Sequence, residues 1–428
     1  MIFLRERIGK LLRDLEGLIY TDETPVSGFR YVQSAEKFPD VSKVNTDDWA
    51  YCDRYPMSWG GHRAYYWFET FVTIPEEMDG QCVVYEQTTG KEDGWDATNP
   101  QFTIYVNNVL KQGLDINHRE VLLTEHAKAG ERYRIMLSAF TGDHNMNLVL
   151  DARIKVLRRE TEKYYYDLKM PYDTACLLRE SDTEYRDIIL NLNESLNLLD
   201  LRKPYSEAYE KSLKAAQDYL DQEFYERYAG VARQKVYCVG HTHIDVAWKW
   251  TLAVTEDKAV RSFSTVLELM RRYPEYKFMS SQPQLYKYVK KNAPQVYEEI
   301  KERVKEGRWE TEGGMFLEAD CNLTSGESLV RQFLYGKRFF REEFGTDNEI
   351  LWLPDVFGYS AALPQIMKKC GIRYFMTTKI SWNEFNKMPY DTFEWEGIDG
   401  TRILTHFSPS RDYQAPAEQG SEHTAHFT

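Results

Sequence analysis

The chain has 428 residues, a length that suggests two or three domains, and its 42% hydrophobic and 28% charged residues are typical of a globular protein. The net charge of -13 argues against a nucleic-acid partner, because no positive field would attract phosphate groups. The sequence contains no run of about 18 apolar residues, so no membrane span is predicted. The 6 cysteines lack CxxC spacing, which argues against a zinc finger and for reduced thiols.

The first predicted unit, residues 1–27, opens with an amphipathic helix. Apolar side chains at three-to-four spacing share one helical face: Leu4, Ile8, Leu11, Leu12, Leu15 and Ile19. The charged triplet Arg5-Glu6-Arg7 interrupts the apolar run, so we do not interpret the stretch as a signal peptide. The absence of a signal and of paired cysteines favours a cytoplasmic protein.

Residues 28–158 alternate with period two and predict a second unit of antiparallel strands. Four runs carry the pattern: Phe68 to Ile74, Phe102 to Val106, Tyr133 to Ala139 and Leu148 to Val156. Short strands at this spacing, separated by turn residues, are typical of a β-sandwich. Residues 159–230 change to helical spacing, and we interpret them as a helical connector.

Residues 231–428 alternate strands with helices. Apolar strands are predicted in KVYCVG, KFMSSQ, GRWETEGG, EILWLPD and RYFMTTK, and one helix is predicted from Gln284 to Lys305. The βαβα order indicates a largely parallel sheet or barrel, with ligands at the carboxyl ends of the strands. The polar stretch from Ser408 to Thr428 has no periodicity.

Chemically active side chains follow these strands. The first strand is followed by HTHIDVAW, in which His243 and Asp245 stand two residues apart and can point the same way. Nitrogen and carboxylate ligands suit a catalytic zinc ion, although a hydrogen-bonded pair in the core would give the same pattern. The ends of the other strands carry further polar and aromatic residues: Ser281, Gln282, Glu312, Phe316, Glu318, Asp320, Asp355, Phe357, Lys379, Trp382 and Asn383.

Each of these residues also has a purely structural interpretation. Asp355 follows a proline and could cap a turn, and Glu318 and Asp320 could cap the helix that begins near Ser325. The combination at one edge of the sheet, with an aromatic lining, nevertheless indicates an enzyme pocket.

Several motifs resemble glycoside hydrolase family 38, the α-mannosidases, in its bacterial, vacuolar and cytosolic branch. The resemblance rests on HTHIDVAW, GRWETEGGMFLEADCNLTSGESLVRQ, ILWLPDVFGYSAALPQIMKKCGIRYFMTTKISWN and TFEWEGIDG, and on WFETFVTIP in the sandwich. It covers residues 1 to 407. It implies a seven-stranded, barrel-like catalytic domain that is truncated in this chain at residue 428.

The resemblance also implies roles for individual residues. His243, Asp245 and Asp355 are expected to bind one Zn²⁺ per catalytic domain, with another divalent metal as the alternative, and Asp355 is expected to be the nucleophile. Trp248 and Phe357 are expected to pack against the sugar, whereas His241 supports its loop. Further substrate contacts are expected from a second set: Gln282, Asp320, Trp382 and Asn383.

The implied reaction is retaining hydrolysis of terminal α-linked mannose from oligosaccharides, through a glycosyl-enzyme ester. In the family, another zinc-binding histidine and the acid/base aspartate lie downstream of the region matched here. We therefore expect the 428-residue chain to have little activity, since neither His423 nor His426 is expected to replace the missing ligand. The full-length protein is expected to form a homo-oligomer.

Two other classes of protein remain open at this point. A metal-dependent polysaccharide deacetylase also uses His and Asp ligands at strand ends, but water rather than Asp355 would attack the substrate. A carbohydrate-binding protein without turnover would use the sandwich and the aromatic pocket.

Overall fold

A computed structural model describes residues 3–90, 100–142, 146–228, 237–386 and 388–408. The chain combines antiparallel sheets in its first part with helices and parallel strands in its second. The predicted tail from residue 409 onward, with His423 and His426, lies outside the described residues. Within the described ranges, no helix is both long enough and apolar enough to cross a membrane.

Helix α1 spans Leu4–Glu16, and antiparallel strands follow it. Their bounds are β1 Tyr20–Pro25, β2 Phe29–Gln33, β3 Ala50–Cys52, β4 Met57–Gly61, β5 Tyr65–Thr73, β6 Val83–Gln87, β7 Gln101–Val106, β8 Val109–Leu114, β9 Glu120–Thr124, β10 Arg132–Phe140, β11 Met146–Leu150 and β12 Ala152–Leu157. The described strands pair in the orders β1-β12-β6-β9, β3-β2-β5-β10-β7-β8 and β11-β4.

The core between the antiparallel sheets forms because alternate side chains of each strand point to the same face. Phe68, Leu137 and Ile104 are fully buried and belong to one apolar cluster between the sheets. Their neighbours along β5, β10 and β7 point to the opposite, outer face. The period-two pattern therefore correctly located strands in this region.

Two details differ from the sequence interpretation. Strand β1 pairs with β12, so the sheet begins inside the predicted unit 1–27. The run Leu148 to Val156 is two strands rather than one, because the chain changes partners at Asp151: β11 pairs with β4, and β12 pairs with β1 and β6. The carboxylate of Asp151 accepts hydrogen bonds from the Arg153 guanidinium at 3.1 and 2.8 Å.

The helical region consists of α2 Arg159–Leu177, α3 Thr183–Leu198 and α4 Glu207–Tyr219. These helices share one apolar cluster with α1, built from residues such as Ile8, Leu12, Tyr164, Leu192 and Tyr209. Helix α1 therefore packs with the predicted connector rather than standing alone.

The second part of the chain alternates strands and helices in this order: β13 Gly240–His241, α5 Leu252–Arg272, β14 Phe278–Ser280, α6 Pro283–Asn292, α7 Pro294–Lys305, β15 Trp309–Thr311, α8 Gly326–Phe344, β16 Ile350–Trp352, α9 Leu363–Lys369, β17 Tyr374–Thr377, β18 Thr392–Glu396 and β19 Arg402–Phe407. Strands β13-β14-β15 are parallel, as are β16-β17-β19, and β18 is antiparallel to β19. A parallel bridge between Gly313 and Leu351 connects the two groups.

Two predicted elements are corrected here. The helix predicted from Gln284 to Lys305 is two helices, because Pro294 has no N–H to continue the first and starts the second. In the strand predicted at 235–240, only Gly240 is paired among the described residues, and 235–236 lie outside them.

Helix α5 joins the two parts of the chain by packing on β8. The Gly113 N–H donates to the Thr265 hydroxyl at 3.0 Å, and a Cβ at Gly113 would lie 3.0 Å from the Cβ of Arg261. This close approach at β8 determines how the helix lies over the neighbouring strands of the sheet.

Candidate metal centre

The carboxyl ends of the parallel strands bring together segments that are distant in sequence. The loop after β13 carries His243 and Asp245, and the segment after β15 carries Glu318. Asp355 follows β16, and Lys379 follows β17. The predicted edge of the sheet is therefore where the candidate residues meet.

His243 lies at the centre of this group and is 7% exposed. Its Nδ1 is 3.1 Å from a Glu318 carboxylate oxygen. Its Nε2 is 3.4 Å from Asp245 and 3.3 Å from Asp355. Burial lowers the pKa of His243, but the opposing effect of Glu318, Asp245 and Asp355 is greater and raises that pKa to about 12. In the absence of a metal ion, the imidazole is therefore a cation held by three carboxylates.

His241 is already occupied by other partners. Its Nδ1 is 3.1 Å from the carbonyl oxygen of Met279, and its Nε2 accepts the indole N–H of Trp352 at 3.3 Å. Burial lowers the pKa of His241, which favours the neutral ring that this arrangement requires. The structure thus places His241 in a supporting position between β14 and β16.

The donor atoms fit a zinc ion. His243, Asp245 and Asp355 each offer one donor atom, and these three atoms lie within 4.8 Å of one another. His241, His243 and Glu318 form a second group that meets the same distance limit. We favour the first group, because both nitrogens of His241 have other partners. A metal-binding histidine commonly presents one nitrogen to the metal and the other to a carboxylate, which here is Glu318. Three nitrogen and oxygen ligands with further positions open suit a catalytic zinc site.

Gln282 and Ser281 hold the loops in place. The Gln282 side chain, which is buried, donates to the carbonyl oxygen of Ile244 at 3.0 Å and accepts the N–H of Glu318 at 3.3 Å. The Ser281 hydroxyl donates to Glu318 at 2.9 Å. Gln282 therefore ties the His243 loop to the Glu318 loop, while its predicted contact with substrate stays a prediction.

Asp355 has a cation on each side. One carboxylate oxygen faces His243 and the other forms an ion pair with Lys379, which is 2% exposed. Burial tends to raise the pKa of Asp355, but His243 and Lys379 together lower it below its usual value. Sequence reasoning noted Glu318 and Lys379 at strand ends but gave neither a role in the metal centre, because only the assembled sheet shows which groups they face.

Several aromatic side chains stand at the mouth of the site. Trp382 and Phe357 are 62% and 75% exposed, with ring centroids 6.4 Å apart. The Lys379 ammonium lies 3.5 Å from the centroid of Trp382. Trp248 is also exposed and contacts Trp250 edge to face at 5.6 Å. Aromatic rings beside a few placed polar groups are typical of a small-molecule binding site.

Two further predicted contacts have structural roles. The Asp320 carboxylate accepts backbone N–H groups of Asn322 and Leu323 at 2.9 and 2.7 Å. The Asn383 side-chain oxygen accepts the backbone N–H groups of Phe385 and Asn386 at 3.0 and 2.9 Å. Both residues cap turns beside the site, and their predicted contacts with substrate stay predictions.

We expect Lys379→Met to destabilise the metal-free protein by about 1–3 kcal/mol at pH 7. The loss should be smaller than for an isolated buried pair, because His243 remains a partner of Asp355. The folded-state pKa of Asp355 is lowered, so its stabilisation exists above its unfolded pKa of about 3.9 and disappears as the pH falls through the folded value. Urea unfolding in the presence of chelator, at pH 7 and near pH 3, measures the free energy of unfolding of the wild type and the variant.

The difference in the free energy of unfolding between wild type and Lys379→Met should therefore be smaller at the lower pH. Lys368→Met, at an exposed position in α9, is the matched control and should change little. Equal stability of the two variants at pH 7 would mean that the ion pair of Lys379 contributes nothing.

Comparison with known proteins identifies the family of the region that holds this site. The sequence model described as "Glycosyl hydrolases family 38 N-terminal domain" matches residues 233–427, which include every residue of the candidate centre. This segment of the chain belongs to glycosyl hydrolase family 38, and the resemblance seen in the motifs is confirmed.

The relatives include proteins named as α-mannosidases. "Alpha-mannosidase G" of Dictyostelium discoideum is 33% identical over 441 residues, which cover 97% of this chain and 38% of that protein. "Alpha-mannosidase 2C1" of Homo sapiens is 35% identical over 367 residues, covering 81% of this chain and 34% of that protein. "Alpha-mannosidase" of Saccharomyces cerevisiae is 43% identical over 197 residues, covering 46% of this chain and 18% of that protein. The chain thus spans 38% or less of the length of each.

Proposed function

We propose that the protein is a retaining, zinc-dependent α-mannosidase that removes terminal α-linked mannose from oligosaccharides. The observation that carries the proposal is the group formed by His243, Asp245 and Asp355 at the carboxyl ends of parallel strands. It lies in a segment that belongs to family 38. The names of the relatives supply the substrate class.

His243, Asp245 and Asp355 would hold the metal, and Glu318 would orient the imidazole of His243. Bound there, Zn²⁺ supplies Lewis-acid polarisation of sugar hydroxyl oxygens. The protein's own groups prepare the nucleophile, since the buried Lys379 ammonium beside Asp355 favours its ionised form. An ionised carboxylate is the form that can attack carbon.

In the proposed reaction, a carboxylate oxygen of Asp355 forms a bond to the anomeric carbon. The glycosidic oxygen leaves with the bonding electron pair and takes a proton from a second carboxyl group. Water then cleaves the resulting ester and restores both groups. By the family resemblance, we expect this second carboxyl outside the region matched here. Trp248, Phe357 and Trp382 would contact the faces of the sugar.

The remaining features of the proposal follow the sequence interpretation. We infer a β-sandwich in residues 28–158, a helical connector in 159–230 and a seven-stranded, barrel-like catalytic domain from 231. We further infer a cytoplasmic location and a homo-oligomer of the full-length protein, and we propose that the Gln282, Asp320 and Asn383 side chains contact substrate.

A trapping experiment tests the nucleophile without needing the acid. An α-mannosyl fluoride with a second fluorine on C5 has a leaving group that departs without protonation. With Zn²⁺ present, we expect one mannosyl ester on the peptide that contains Asp355, detected by mass spectrometry. Asp355→Asn should remove the label, and Asp48→Asn, at an exposed position, should retain it.

The other outcomes exclude the proposal. A label on a different carboxylate would refute Asp355 as the nucleophile. No label on a metal-loaded chain would favour a deacetylase, in which water attacks, or a binding protein without turnover.

A further inference from the structure

A second cleft lies on the outer face of the sheet that contains β5, β10 and β7, and its lining residues include none of the candidate metal centre. Its floor consists of two cross-strand rows: Trp67, Ser138 and Thr103 in one, and Tyr65, Phe140 and Gln101 in the other. The intervening residues of the same strands point into the sandwich core. The side chains of these rows are therefore not needed to fill that core.

Helix α5 covers this face incompletely. The helix touches the sheet closely at β8, where Gly113 meets Arg261, and Asp257 and Val260 line the other side of the cleft. Ser138 is small and lies between Trp67 and Thr103, which leaves space in the centre of the floor. The result is a cleft of about 130 Å³ between helix and sheet.

The walls combine aromatic rings with hydroxyl groups. Phe38 and Trp67 have ring centroids 4.9 Å apart, and those of Tyr65 and Phe140 are 4.7 Å apart. Among the described residues, four lining hydroxyls have no hydrogen-bond partner in the protein: those of Tyr65, Thr103, Tyr105 and Ser138. Burial, with a smaller contribution from Asp257, raises the pKa of Tyr65 and of Tyr105 to about 12, so both remain protonated donors at neutral pH.

The charged groups of the cleft compensate one another. Lys37 is 2.8 Å from Asp257, and Lys291 is 3.4 Å from Glu256. The Arg261 guanidinium donates to the Gln101 side chain. Since the cations already have partners, the cleft favours a neutral ligand over an anion.

We propose that this cleft binds one neutral hexopyranose ring, independently of the metal centre. A pyranose has apolar C–H faces that pack on aromatic rings and hydroxyls that bond to the four groups on the walls. The cleft, about 130 Å³, is slightly smaller than an engineered cavity of about 150 Å³ that admits benzene, so it would hold one face of a single pyranose ring and leave the remaining hydroxyls in solvent. The site would therefore take a terminal or free sugar and not the interior of a glycan chain.

Saturation-transfer NMR on the 428-residue chain tests the proposal, with methyl α-D-mannopyranoside and methyl α-D-glucopyranoside as probes. Chelator is present throughout, so that binding at the metal centre is suppressed. We expect at least one glycoside to bind. Ser138→Tyr fills the centre of the floor and should weaken that binding at least tenfold, whereas Ser58→Tyr, the same change at an exposed strand position, should leave it unchanged.

A second variant keeps the shape of the cleft and serves if Ser138→Tyr does not fold. Tyr65→Phe combined with Tyr105→Phe removes two hydroxyls only, and the loss of two hydrogen bonds of about 1 kcal/mol each should weaken binding roughly tenfold or more. The proposal is overturned if neither glycoside binds in chelator. It is equally overturned if binding is the same in wild type, the double phenylalanine variant and any folded Ser138→Tyr protein. Binding that appears only with added Zn²⁺ would assign the sugar to the metal centre instead.

Discussion

Replacing His243 with alanine is expected to lower the affinity of the chain for Zn²⁺ by at least about 100-fold. His243 supplies the nitrogen donor of the favoured group, and Asp245 and Asp355 both face that nitrogen. Changes to groups that only orient a ligand already cost about 10–100-fold in metal affinity, so the loss of a ligand should cost more.

The same residue should make metal binding depend on pH in a defined direction. The pKa of His243 in the metal-free protein is about 12, so the ring is protonated at neutral pH and must release its proton to bind a metal. Affinity should rise up to about tenfold per pH unit between pH 6 and 8, apart from the titration of other groups. The stability that the protonated ring contributes is fully present below its unfolded pKa of about 6.5 and is lost as the pH rises toward 12.

Calorimetric titration of the chain with Zn²⁺, in two buffers of different ionisation enthalpy, measures affinity and proton release together. We expect close to one proton released for each metal bound at pH 7 by the wild type. His118→Ala is the matched control, because His118 is also paired with a carboxylate, 3.0 Å away, but lies in the sandwich. Undiminished affinity in His243→Ala would show that the metal binds elsewhere.

Local spacing pairs His243 and Asp245 as candidate metal ligands, whereas the role expected of Asp355 rests on the family resemblance. His243 and Asp245 are close in the chain, and Asp355 follows a strand whose carboxyl end lies at the same edge. Glu318 and Lys379 could be placed near that edge, but their partners depend on the path of each loop. The capping bonds of Asp320 and Asn383 likewise require coordinates, since the sequence does not show which backbone N–H groups these side chains accept.

The antiparallel sheets also combine features that local sequence predicts with features that require coordinates. Alternation placed Phe68 in one apolar run, and the structure buries Phe68 between the antiparallel sheets, while its neighbour Trp67 belongs to a separate cluster. Trp67 is covered by the segment between β2 and β3, where Phe38 lies 4.9 Å from its ring and the Glu36 carbonyl oxygen accepts its indole N–H, and this contact joins residues that are distant in sequence. The break between α6 and α7, in contrast, could have been inferred from Pro294, whose effect on a helix is local.

Gly336→Ala is expected to destabilise the protein by about 2–3 kcal/mol and to weaken Zn²⁺ binding. Gly336 lies in α8 against the segment that leads from β15 to Glu318. An added Cβ would lie 2.3 Å from the carbonyl oxygen of Gly314 and 2.7 Å from the backbone nitrogen of Phe316. Backbone atoms cannot turn aside as a flexible side chain can, so helix or loop must move.

This movement should reach the metal centre. The Phe316 N–H donates to the Gln332 carbonyl oxygen at 2.9 Å, and the Leu317 N–H donates to the Gln332 side chain at 2.9 Å. These bonds fix the loop to α8, and Glu318 follows directly with its carboxylate 3.1 Å from His243. Displacing that carboxylate should lower metal affinity about 10–100-fold, as expected for a group that orients a ligand.

The control for this change lies in the same helix. A Cβ at Gly326, the first residue of α8, meets nothing within 4 Å, so Gly326→Ala should alter stability by no more than about 0.5 kcal/mol. Alanine gains roughly 1 kcal/mol over glycine inside a helix, which makes any destabilisation by Gly336→Ala a lower bound on the steric cost. Urea unfolding and Zn²⁺ titration of both variants measure the two effects. If Gly336→Ala is as stable as Gly326→Ala, the close packing of α8 on the loop is not what holds Glu318 beside His243.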